Sequence, residues 1–141
     1  MTTNPIGVTA ATRARLRVPV VLGVATLAAT AVVAVHDPNV AGSYGVCPLH
    51  ALTGLWCPAC GGLRATHDLA HGDLAGAWGM NPLWVLVVPL LVGLWVTWLV
   101  RAPRHQPMPR TRPWMPWAFL AVLVGFTVLR NLPFLAPWLA P

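Results

Sequence analysis

Cys57, Cys60, His67 and His71 stand in the order C-x2-C-x6-H-x3-H, with Arg64 between the two pairs and Cys47 upstream. Thiols and imidazoles at this spacing offer three chemistries. In an oxidising compartment the cysteines form a structural disulfide, either within the pair or from Cys47 to one of them. A second chemistry is thiol–disulfide exchange. Cys60 sits just before a predicted helix, and a helix N-terminus lowers a thiol pKa; Cys47 is then the resolving partner. The third is a zinc site from Cys57, Cys60, His67 and His71, because histidines four residues apart share one helix face. The gap from Cys60 to His67 is shorter than a zinc-finger loop. With three cysteines in the chain, any single disulfide leaves one thiol unpaired.

The elements that must position these residues are short. Pro58, Gly61 and Gly62 set the backbone around the cysteines. The spacing predicts a helix over 61–70, in which Arg64 and Asp68 lie four apart and can pair. Gly72 ends it, as glycine does past a helix C-terminus. Asp73 caps a second short helix over 74–80. Asn81 caps the next, with Pro82 at its first position. On this reading Gly61, Gly72, Asp73, Asn81 and Pro82 are punctuation between helices.

The rest of the chain is mostly apolar. It is 57% hydrophobic and 9% charged, against roughly 25% charged residues in a soluble domain. Its formal charge of +6 comes from arginines clustered beside long apolar runs. That arrangement orients a membrane protein and argues against nucleic-acid binding. The predicted organisation is an all-α membrane protein with three transmembrane helices. A tail over 1–17 is small and polar in its first eleven residues, which reads as disordered, and ends in Arg13, Arg15 and Arg17. The first span is 18–35, and its uncharged length crosses the hydrocarbon layer. A cleaved signal peptide is the rival for this run, which is long for one.

The motif connector occupies 36–81 and is apolar enough to be interfacial or re-entrant. The second span is 82–100, an arginine-rich loop covers 101–113, the third span is 114–132, and a short apolar tail covers 133–141. Seven arginines fall on one side of this topology and Arg64 and Arg130 on the other. The N-terminus and arginine-rich loop are therefore expected in the cytoplasm and the motif outside. The absence of lysine, with abundant Ala, Arg, Trp and Pro, suggests a GC-rich bacterial genome and a bacterial plasma membrane.

Arg64 and Arg130 share the outer side, where together they suit an anionic ligand such as a lipid headgroup. The plainer readings are the Arg64–Asp68 pair and an Arg130 that snorkels to the headgroups. The spans contain no Asp or Glu, which disfavours transport driven by a buried acid.

The run Cys57-Pro58-Ala59-Cys60-Gly61-Gly62-Leu63-Arg64-Ala65, then His71-Gly72-Asp73, then Asn81-Pro82, resembles the small bacterial membrane proteins of domain of unknown function family 2752. Cys47 and Arg130-Asn131 resemble further parts of that family's pattern. Leu63 departs from it, since the family usually carries threonine before the arginine. The resemblance implies a multi-span membrane fold and no particular activity. The function expected first is a structural or accessory membrane component, whose partners are the bilayer and another membrane protein. A membrane thiol–disulfide oxidoreductase using Cys57 and Cys60 is the enzyme alternative, and a zinc-binding membrane protein is the binding alternative. No cofactor other than zinc is suggested.

Overall fold

The computed structural model describes residues 5–40, 42–45, 47–104 and 106–141. Among these residues all regular structure is helical. Helix α1 runs Pro5–Val35 and ends before His36-Asp37-Pro38, where proline halts it. It begins well before the apolar run does. Ala, Thr and Arg at residues 9–17 carry no strong breaker, so the helix propagates back through them. Residues 5–11, expected to be disordered, form its first turns, and residues 1–4 lie outside the described residues.

Four short and medium helices follow. They are α2, Pro48–Thr53; α3, Gly62–Ala70; α4, Leu74–Met80; and α5, Pro82–Arg101. Helix α6 covers Met115–Arg130, and α7 is a single turn at Ala136–Leu139. The stretches Thr12–Val35 and Pro82–Arg101 are each long and apolar enough to cross a membrane, and α6 is a shorter apolar helix. The expected three-helix membrane architecture is present. Helix α6 stops short of residue 132 because Leu132 precedes Pro133, and a residue before proline avoids the helical region.

The helix boundaries in the connector follow local chemistry. Gly72 takes φ +80°, the left-handed geometry expected of a helix stop. Asp73 Oδ1 accepts the Gly76 N–H at 2.8 Å and starts α4. Asn81 Oδ1 accepts the Trp84 N–H at 3.0 Å and starts α5.

Helix α1 packs against α3 and α5. Gly23 leaves room for the Trp95 ring, which a Cβ would strike, and Trp95 Nε1 donates to the Pro19 carbonyl at 2.9 Å. Helix α6 stands differently. A gap of about 440 Å³, bounded by Leu83, Leu86, Val122 and Phe126 among others, separates it from α5. Its firm attachment is at its last residue and the one after, Arg130 and Asn131.

Candidate functional site

The site begins with a tight turn. The Cys60 N–H donates to the Cys57 carbonyl at 3.1 Å, and the Gly62 N–H to the Ala59 carbonyl at 2.9 Å. These bonds bring the side chains of Cys57 and Cys60 to the same side, with sulfurs 2.7 Å apart. Gly61 follows at φ +80°. A Cβ there would collide with the Met80 carbonyl, so the turn lies directly on the end of α4. Cys47 is the N-cap residue of α2, and its sulfur lies 3.5 Å from that of Cys57. All three cysteines are free, and their sulfurs lie within 4.8 Å of one another.

The three thiols have different environments. Backbone N–H groups at the start of α2, His50 first, point at Cys47, and with help from the neighbouring thiols they lower its pKa to about 7. Burial drives the Cys60 thiol the other way, to about 12, with hydrogen bonds from Cys57 and Cys47 adding to the shift. Cys47 therefore ionises more readily than Cys60, which stays a thiol.

Two side chains from distant parts of the chain hold the turn. Arg130 is 0% exposed. Its Nη1 donates to the Cys57 carbonyl at 2.7 Å and to the Cys60 carbonyl at 3.2 Å. Its guanidinium also lies over the Phe126 ring at 5.0 Å. Asn81, also 0% exposed, donates from Nδ2 to the Pro58 carbonyl at 2.9 Å and the Cys60 carbonyl at 3.0 Å. Asn131 clamps the preceding residue by accepting from the Trp56 N–H at 2.8 Å and donating to the Trp56 carbonyl at 2.9 Å.

The same bonds correct several sequence expectations. Asn81 is a helix cap as expected, but its amide also tethers the cysteine turn. Arg130 is fully buried and so does not snorkel, and it is not among the side chains that line the cavity with Arg64. Two backbone carbonyls on the cysteine turn accept from its Nη1, while Nε and Nη2 are buried with no hydrogen-bond partner among the described residues.

The histidines do not join the sulfurs. His67 Nδ1 donates to the Val33 carbonyl at 2.9 Å, and Nε2 faces Asp37 Oδ1 at 3.8 Å. His71 Nδ1 donates to the His67 carbonyl at 2.8 Å. The two rings do share a helix face, with centroids 4.3 Å apart. That face turns to the end of α1, so the set Cys57, Cys60, His67 and His71 does not assemble a zinc site. The metal-capable group among the described residues is Cys47, Cys57 and Cys60. The Arg64–Asp68 pair is also not formed; Arg64 has no ion pair among the described residues and instead lines the cavity beside the cysteines.

The geometry coincides with the result of comparison. Residues 47–95 match the family model described as Protein of unknown function (DUF2752). The DUF2752 match begins at Cys47 and takes in the turn, α3, α4, Asn81 and most of α5, ending at Trp95. Arg130 and Asn131 lie beyond it. The resemblance seen in the motif is therefore supported over residues 47–95. No curated protein and no solved structure matches the chain.

Asn131 had only a place in the family pattern beside Arg130, and His50 and Tyr44 had no assigned role in the site. His50 stacks on Trp56 with centroids 3.9 Å apart, and Tyr44 packs edge-on to His36 at 5.6 Å. A local signal existed for one of them. Cys47-Pro48 is a helix start, and it places His50 in the first turn beside the Cys47 sulfur.

Proposed function

We propose that this chain is an accessory component of the bacterial plasma membrane. On this reading its connector faces outward and carries a thiol–disulfide exchange centre made of Cys47, Cys57 and Cys60. The observation that carries the reading is the gathering of three free sulfurs within 4.8 Å, one of them favoured as thiolate. The split of arginines between the two sides supports the outward orientation. The chemistry balances within the group. The Cys47 thiolate attacks a substrate disulfide R–S–S–R′, forms a Cys47–S–S–R bond and releases R′S⁻. Cys57 then gives up its proton and attacks the Cys47 sulfur, releasing RS⁻. The Cys57 proton passes to the released thiolate, and the group ends as a Cys47–Cys57 disulfide with Cys60 still a thiol. Two protein thiols are oxidised and one substrate disulfide is reduced to two thiols.

A second reading rests on the same all-sulfur set. Three thiolates without imidazole suit a soft ion such as Cu(I) more than zinc, whose structural sites take four ligands. The two readings separate in one experiment. The purified protein is alkylated with iodoacetamide between pH 5 and 9 and mapped by mass spectrometry, with and without Cu(I). Cys47 is expected to react first, its rate rising with pH and reaching half its maximum near pH 7. A Cys47 midpoint near 9, the value of an ordinary thiol, would sink the exchange reading. Cu(I) protection of all three residues at one ion per chain supports the metal reading.

A further inference from the structure

The cavity beside the thiols has a character of its own. Its volume is about 570 Å³, within the usual range of roughly 300–1,000 Å³ for small-molecule sites. Cys47, Cys57 and Cys60 form part of one wall, and Val40 and Leu63 give apolar surface. Tyr44, His50 and Arg64 also line it. Tyr44 Oη and His50 Nδ1 are buried and have no hydrogen-bond partner among the described residues. Buried polar atoms without partners are uncommon, because each costs the desolvation of a lost hydrogen bond. Two of the four such atoms found among the described residues belong to side chains that line this cavity, and the other two are on Arg130. Arg64 adds a cation with no ion pair among the described residues, and none of the described residues lining the space is Asp or Glu.

We infer that this cavity is a binding site for a small organic thiol or disulfide that carries a carboxylate. Each part of such a molecule meets a matching part of the wall. The carboxylate takes the Arg64 guanidinium, a charge-assisted contact stronger than a neutral one. Its remaining oxygen lone pairs accept from Tyr44 Oη and from His50 in the tautomer protonated at Nδ1. The carbon chain lies against Val40 and Leu63. The sulfur end reaches the thiols. Anchoring the acid at Arg64 holds the substrate disulfide beside Cys47, which raises the effective concentration of the reacting sulfur. This inference rests on the exchange reading for the fate of the sulfur, but binding of the acid does not depend on it.

The test uses the full chain in detergent and an unreactive probe, 3-(methylthio)propionate, whose thioether cannot exchange. Binding is followed by titration calorimetry. Saturable binding at one site per chain is expected, with affinity falling at least about tenfold in Arg64→Gln and several-fold in Tyr44→Phe, a variant that keeps the ring. No binding to the wild type, or equal binding to Arg64→Gln, would overturn the inference. Kinetics supply the second arm, using the disulfides of 3-mercaptopropionate and 2-mercaptoethanol. In Arg64→Gln the anionic disulfide should lose its rate advantage over the neutral one. Probe binding with neither disulfide reacting defeats the exchange reading alone and upholds the acid site. Reaction of both disulfides without probe binding defeats the acid site alone.

Discussion

The membrane-length helices and the connector bury opposite things. Along α1, α5 and α6 the large apolar side chains face outward; Leu27 is 69% exposed, and Trp117 and Leu90 are exposed with it. In and around the connector, the largest fully buried side chains include Arg130 and Asn81. A soluble protein of this size would reverse the pattern, with charge outside and leucine inside. The inversion fits a bilayer solvent, which accepts exposed leucine and penalises exposed backbone polar groups. Stability in the two regions therefore has different sources. The helices are held by their surroundings and by a few contacts such as Trp95 with Pro19. The connector is held by directed hydrogen bonds that converge on one turn.

That contrast is open to direct challenge by substitution. The largest effect is expected from Arg130→Met, which leaves the Cys57 and Cys60 carbonyls without their guanidinium partner. A loss of about 3 kcal/mol is expected from hydrogen bonds to a buried charge. It is read as detergent-phase unfolding followed by tryptophan fluorescence, and a loss below about 1 kcal/mol would end the claim that Arg130 holds the turn. Next comes Asn81. Asn81→Asp keeps an oxygen for the α5 cap and removes both donations to the turn, so the tether can be measured apart from the cap. It should cost about 2 kcal/mol, more than the roughly 1 kcal/mol expected for Asp73→Ala, which removes a cap only. Equal losses would reduce Asn81 to a cap. The smallest effect is expected on the helices, where Leu27→Ala should change stability by less than about 0.5 kcal/mol in micelles. A core-sized loss there would show that the exposed face is covered by protein.

Legibility in the sequence followed distance along the chain. Gly72, Asp73, Asn81 and Pro82 could be read because a cap or a helix stop needs only its own neighbours. The helical fold and the long apolar helices could be read from uncharged length. His67 and His71 were rightly placed on one face, but periodicity does not say what that face meets. It meets the Val33 carbonyl and Asp37 at the end of α1, and the zinc set fails for that reason. The grip of Arg130 on the cysteine turn joins residues 70 and 73 positions apart, and no local pattern announces it. Arg64 and Asp68 had the right spacing for an ion pair, yet a side chain that lines a cavity is not bound by helical spacing.

Trp95 and Pro19 fix more than a contact. They set the vertical register between the two long helices, with Gly23 as the notch that admits the indole. From Pro19 to Val33 is about 21 Å of helix, and Val33 is where His67 hangs from α1. The first residue of α5 adjoins Asn81, which carries the cysteine turn. A slip of one residue between α1 and α5, about 1.5 Å, would therefore raise one suspension point of the connector and not the other. The indole works as an alignment pin at the far end of the bundle, and the spacing of the thiols is kept true by a contact that touches none of them.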